Sequence, residues 1–188
     1  MLSKIKKFIY HKENIIIFKN FPFKEKSFPD NKDILVFKDI KEIPPSLIKT
    51  VFPGISFLLL KFRLWRKKAT LICYIKEGQL LAYGWIQDWS YFKPFHIIEY
   101  KASMLGPFWT HPQYRGQGIY GKMLDYSLNM IDPQYPAIIY ASQGNSPSLK
   151  GIRNHHFREI GPFQFLRKFF FFRKLSPVTD VANLTDKG

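Results

Sequence analysis

The apolar positions of this chain fall into short runs of two periods. Ala69 to Ile75 and Gln79 to Gln87 are rich in β-branched and aromatic residues and predict two strands. Lys76-Glu-Gly78 joins them as a hairpin turn, with glycine at the positive-φ position. Ile34 to Phe37 predicts another strand, Ala137 to Ala141 (AIIYA) is a short β-type run, and Ile15 to Phe18 is compatible with a strand. His96 to Trp109 is long enough for one bent strand, where Gly106-Pro107 predicts a bulge or splay. Helical spacing links Ile119, Met123, Leu124, Ser127, Leu128 and Ile131. Ile55 to Lys68 also reads as a helix, with an apolar face of Phe57 to Leu60, Phe62, Leu64 and Trp65 and with Lys61, Arg63, Arg66 and Lys67 on its flanks. A short helix opens at Pro44-Pro45, runs through Ile48 and is closed by Pro53-Gly54.

These elements make one core-bearing domain, because 188 residues are too few for two comfortable ones. The expected division is an N-terminal extension of uncertain structure (1–33), a single domain (34–175) and a polar tail (176–188). The Phe-rich stretch from Phe157 to Leu175 is read first as a final strand of an antiparallel pair with alternate Phe residues inward. A competing reading makes it a basic–aromatic face for a bilayer or a lipid-linked substrate.

The net charge of +15 favours an anionic partner: a nucleotide-carrying cofactor, an anionic substrate, nucleic acid or a membrane surface. Nucleic acid would need stacking aromatics on an open sheet or a recognition helix, and no such signature is present. The single cysteine, Cys73, lies in an apolar run and reads as a buried structural thiol. No metal-site spacing is found. The Lys-rich start is broken by charge too early for a secretory signal, and no run approaches the ~20 apolar residues of a spanning helix. The expectation is a cytoplasmic protein, with contact at a membrane surface left open.

Candidate chemistry concentrates in GPFWTHPQYRGQGIYGKMLDYSLNMI, from Gly106 to Ile131. A short extended segment stops at Pro112, a glycine loop follows, and a helix begins. Small residues leave main-chain N–H groups uncovered, and the first helical turn adds unpaired donors and partial positive charge. A phosphate or pyrophosphate is the ligand to expect. Gly116-Gln-Gly-Ile-Tyr-Gly121 also spells G-x-G-x-x-G, but counting about 20 positions onward reaches Ala141 and Ser142, not the carboxylate that a dinucleotide site requires.

From Arg115 the string R-G-Q-G-I-Y resembles motif A of the GCN5-related N-acetyltransferases (GNAT), and Asn145-Ser-Pro-Ser148 with Leu149 to Phe157 resembles their motif B. Ser146 followed by Pro147 is independently a good helix start. The resemblance covers roughly residues 100 to 160. It implies an α+β fold: a central, mostly antiparallel twisted sheet, splayed at its fourth strand and flanked by helices. It implies acetyl-CoA or another acyl-CoA as co-substrate, without a metal. Cofactor contacts would fall to Arg115, Gly116, Gln117, Gly118, Ile119, Tyr120 and Gly121, to Asn145 and Ser148, and to the backbone of Phe108, Trp109 and Thr110 along the pantetheine arm.

The resemblance further implies direct attack by an amine in a ternary complex. Glu99, early on the splayed strand, is the candidate base through a water, and Ser148 is a candidate hydrogen-bonding partner of the leaving thiolate. The family's usual Tyr on the motif-B helix is replaced here by Ile152 or its neighbour. The implied activity is N-acyl transfer to a small primary amine, with a nucleotide- or lipid-linked amino sugar of surface-polysaccharide assembly as one acceptor. A homodimer is compatible with this. Two other readings stay open: a GNAT-like protein that binds CoA without turnover, and a basic nucleic-acid-binding module.

Overall fold

Among the described residues of the computed structural model nine strands form one sheet, ordered β2-β3-β4-β5-β7-β1-β8-β9, with β6 paired to β4 off this path. The structure describes residues 10–20, 32–52, 58–155, 157–168 and 172–178. The strands are β1 (Tyr10–Asn20), β2 (Ile34–Phe37), β3 (Ala69–Lys76), β4 (Gln79–Asp88), β5 (Ser103–Leu105), β6 (Trp109–Thr110), β7 (Ala137–Ser142), β8 (Arg158–Lys168) and β9 (Phe172–Pro177). The helices are α1 (Pro45–Val51), α2 (Leu58–Trp65), α3 (Ile119–Met130) and α4 (Ser146–Arg153). Among the described residues only β5 and β7 pair in parallel; the other pairings are antiparallel. This is the mixed α+β architecture expected.

Alternation along each strand sorts side chains to two faces. On one, Ile16 and Phe18 of β1 and Ile139 and Ala141 of β7 pack with Leu124 of α3 and Leu149 and Ile152 of α4. On the other, Ile15, Ile17 and Ile138 meet Trp89, Phe92, Phe95 and Phe163. Helices α1 and α2 cover Leu71, Cys73, Tyr83 and Trp85 of β3 and β4.

β1 lies between β7 and β8, inside the sheet. Ile15 to Phe18 are therefore core, and the expected boundary at residue 33 does not set β1 apart from the sheet. The run Ile15 to Phe18 is buried on both faces, so it has no period to read, and each side chain contributes about 1.5–3 kcal/mol on burial.

Three local expectations change. His96 to Trp109 is not one strand: a 3-10 helix spans Lys93–Ile97, and only Ser103–Leu105 and Trp109–Thr110 are extended. Phe92 and Phe95, three apart, pack edge to face at 6.1 Å beside Trp89, so this stretch plugs the core by local turns. Within α2 the buried residues are Leu60, Arg63 and Leu64, whereas Leu58, Leu59, Phe62 and Trp65 are exposed. The cap of α4 is Asn145, one residue before the expected Ser146; its Oδ1 accepts from the Ser148 N–H at 3.3 Å.

The hairpin at Lys76-Glu-Gly78 forms with positive φ at both Glu77 (51°) and Gly78 (75°), the geometry whose twist suits two flanking strands. The Phe-rich stretch forms β8 and β9 as an antiparallel pair, with Phe163 buried and Phe165 half-buried. Residues 169–171 of that stretch, and 179–188 of the expected tail, lie outside the described residues. Among the described residues no helix is long and apolar enough to cross a membrane.

Candidate active site

The glycine loop sits between a 3-10 turn, Pro112–Tyr114, and the start of α3. Gly116 (φ 78°) and Gly118 (φ 74°) adopt left-handed conformations that side chains resist, and a Cβ at either would meet nothing within 4 Å. Gly118 caps α3 without a side-chain hydrogen bond, and the first helical bond runs from Lys122 N to Gly118 O. Among the described residues no acceptor meets the N–H groups from Gly116 to Gly121. Arg115 folds back, its Nε donating to Thr110 O at 3.3 Å. The loop therefore carries unpaired donors at a helix N-terminus, exposed from Gly116 to Gly118 and more covered from Ile119 on, where an anion is favoured.

A cleft of about 350 Å³ adjoins this loop. β5 and β7 pair only at Ser103↔Ala137 and Met104↔Ile138, then diverge. Leu105, Gly106 and Phe108 form one wall, Ile139 to Ser142 the other, and Tyr120, Asn145 and Ser148 close the helical end. Tyr120, in the first turn of α3, thus belongs to both loop and cleft. β6 pairs with β4, and its other edge has no strand partner among the described residues.

A buried hydrogen-bonded clamp lies beside the divergence. The Gln87 side chain donates to Gly106 O and accepts from the Arg63 guanidinium, which reaches in from α2.

The remaining expected site residues are spread around this frame. Ile119 is buried and anchors the start of α3. Gln117 is exposed, with Nε2 3.5 Å from Gln113 O. Phe108 lines the cleft, its ring edge-on to Tyr120 at 5.5 Å. Trp109 instead stacks on Tyr83 at 5.3 Å, and the Thr110 carbonyl receives Arg115. Gly121 belongs to helix packing, under the ring of His155.

Glu99 is on no strand. It follows the 3-10 helix, its carboxylate pairs with Lys19 Nζ, and it is not among the residues lining the cleft.

Three residues of the site were missed in the sequence: Glu13, Gln87 and Tyr140. Glu13 is the one carboxylate among the described residues lining the cleft, and it is half-buried and paired with His11 Nε2 at 3.1 Å. A strand assigned from Tyr10 would have placed it on the face of Ile15, two positions on. Tyr140 is half-buried, and desolvation of its hydroxyl raises the pKa and keeps it protonated. Ile152, where the family's acid was sought, is buried in the core. Among the described residues no group of three or more His, Cys, Asp or Glu is placed to hold a metal.

No family model matches the sequence, and no curated protein matches it. Solved structures do. A protein from Novosphingobium aromaticivorans, described as an acetyltransferase of the GNAT family, superposes with a TM-score of 0.56 at 12% identity, over 84% of this chain and 66% of its own. A GNAT-family acetyltransferase from Colwellia psychrerythraea gives 0.54 at 18% identity, over 85% and 57%. A Staphylococcus epidermidis protein described as functionally unknown gives 0.55 at 14%, over 89% and 66%. The chain thus spans somewhat less than two thirds of the length of these structures. At such identities the likeness is one of architecture, and the architecture is that of the GNAT acetyltransferases.

Proposed function

We propose that the protein is an N-acyltransferase that moves an acyl group, acetyl in the simplest case, from acyl-CoA to the primary amine of a small acceptor. One observation carries this reading: unpaired N–H donors gather at the start of α3, whose first turn puts Tyr120 on the wall of the cleft between diverging β5 and β7. The loop suits a pyrophosphate, and the cleft suits the arm that leads from it to a thioester.

In this reading Gly116, Gln117, Gly118, Ile119 and Tyr120 offer main-chain donors to the pyrophosphate, with Arg115 and Asn145 at the rim, while Gly121 serves the packing of α3. The free edge of β6, with Phe108 before it, hydrogen-bonds the extended arm. The amine nitrogen attacks the thioester carbon, a C–N bond forms and the C–S bond breaks. One proton leaves the amine and one reaches the thiolate. Glu13 takes the first, directly or through a water, because it is the carboxylate in the cleft; Glu99, held by Lys19, does not reach it. The Ser148 hydroxyl hydrogen-bonds the leaving sulfur. Acceptors of this class include amino sugars linked to nucleotides or lipids.

Calorimetric titration with acetyl-CoA tests the reading. Wild type should bind, and Gly118→Val should not, because a branched side chain at φ 74° both strains the loop and covers its donors. Absence of wild-type binding up to millimolar acetyl-CoA would refute the acyl-CoA reading. Ile152 at the family's acid position favours one second reading, CoA binding without turnover. Binding with no free thiol released across a panel of amines would select it.

A further inference from the structure

Beside the acyl cleft lies a second cavity of about 180 Å³, sharing Gln87, Phe92, Pro107 and Tyr140 with it. Three arginines from three elements line this cavity: Arg63 of α2, Arg167 of β8 and Arg173 of β9. Arg167 and Arg173 stand directly opposite each other in the β8–β9 register, an arrangement of like charges that costs stability. Arg63 is only 7% exposed. Its partners are neutral: the Gln87 side chain, the Tyr91 ring at 4.7 Å and the Phe92 ring at 5.0 Å. Among the described residues no carboxylate pairs with any of the three. Glu13, in the neighbouring cleft, is engaged by His11.

The strain shows in the ionisation of the group. Burial, and next the charge of Arg173, pull Arg63 down to about 10, and burial lowers Arg173 as well. The clamp on Gln87 accounts for Arg63. It leaves the Arg167–Arg173 pair without a structural role, since removing either charge would relieve a repulsion.

We propose that this cavity anchors the acceptor and takes an anionic group, a carboxylate or a phosphate, on Arg63, Arg167 and Arg173. The proposal rests on the acyltransferase reading for its link to the amine: an acceptor held here by its anion reaches the acyl cleft past the shared Gln87–Pro107 wall. Guanidinium forks suit both anions, and the partly dry cavity strengthens each contact.

The test compares 2-aminoethyl phosphate, β-alanine and ethanolamine as calorimetric probes at constant ionic strength, with the protein free and saturated with acetyl-CoA. Wild type should bind at least one of the two anionic amines about tenfold or more tighter than ethanolamine, and which one identifies the anion. The Arg167→Gln/Arg173→Gln variant should lose that preference while keeping its acetyl-CoA affinity, with a Tm equal to or above wild type. Arg167→Gln alone, at an exposed position, gives the same readout if the double variant does not fold. Equal binding of all three probes by wild type overturns the proposal, as does a preference that survives the substitutions. A parallel loss of acetyl-CoA affinity also overturns it, by assigning the arginines to the co-substrate. Should wild type bind the anions but not acetyl-CoA, the acyltransferase reading fails and the anion site stands.

Discussion

Gly121 and His155 pack so closely that a Cβ on the glycine would lie 2.2 Å from Nε2 of the imidazole. The ring cannot swing freely, because its Nδ1 is 2.8 Å from Asp125 Oδ1 on the same helix as Gly121. This contact joins α3 to the end of α4 and explains the last glycine of the G-x-G-x-x-G string without a ligand. Gly121→Ala should therefore destabilise the fold by about 1–3 kcal/mol through overpacking. On a chain of this size that is a fall in Tm of several degrees, read by calorimetry. Acetyl-CoA affinity measured below the transition should stay near wild type, whereas Gly118→Val should lose that affinity in addition to whatever its strain at positive φ costs the fold.

The Gln87 clamp predicts a different outcome. Replacing Gln87 by Leu keeps the volume but leaves the Arg63 guanidinium and the Gly106 carbonyl without their shared partner. Hydrogen bonds to a charged group are worth about 1.5–3 kcal/mol, so Gln87→Leu should lower Tm clearly. Because the clamp braces the point where β5 leaves β7, acyl-CoA affinity should fall as well. A variant with lowered stability and unchanged affinity would show that the clamp serves packing alone.

The parts of this fold that declare themselves in sequence are those with one buried face or a glycine whose conformation is forced. The β3–β4 hairpin, α3 and the loop from Arg115 to Gly118 are of that kind. β1 is not: Ile15 to Phe18 is buried on both faces, and nothing local says that it pairs with β7 and β8 more than 100 residues away. The misplacement of Glu99 has the same origin, since an apolar stretch around Phe95 reads as a strand until its aromatic partners are known. Arg63 is the opposite case. A charged residue in a helical pattern is assigned to solvent, and only tertiary contact with Gln87 and two aromatic rings turns it inward.

Cys73 provides a check on the β3 packing. Burial pushes its thiol up to about 12 from the ordinary 9.0. The folded state thus holds this proton more tightly than the unfolded state, and the associated stability is intact below about pH 9. Between roughly 9 and 12 the unfolded chain loses the proton first, so stability falls with rising pH across that window. Cys73→Ala should flatten this part of the pH–stability curve. At pH 8 the native thiol should resist a thiol reagent that labels it promptly in denaturant; prompt labelling of the native protein would contradict the burial of β3.

Glu13 and Glu99 put the proposed base assignment to a direct test. Both are partly buried carboxylates with a side-chain partner, His11 for Glu13 and Lys19 for Glu99, yet of the two only Glu13 lines the cleft. If Glu13 takes the amine proton, Glu13→Gln should lower kcat by about a hundredfold or more with any amine that turns over, while leaving acetyl-CoA affinity unchanged. Supplying the acceptor at higher pH, where more of the amine is already neutral, should recover part of that loss. Glu99→Gln should do the converse, costing about 1 kcal/mol or less through its ion pair and leaving kcat close to wild type. Matched steady-state kinetics and thermal melts of the two variants decide the assignment, and a larger kcat loss in Glu99→Gln would return the base to the turn after the 3-10 helix.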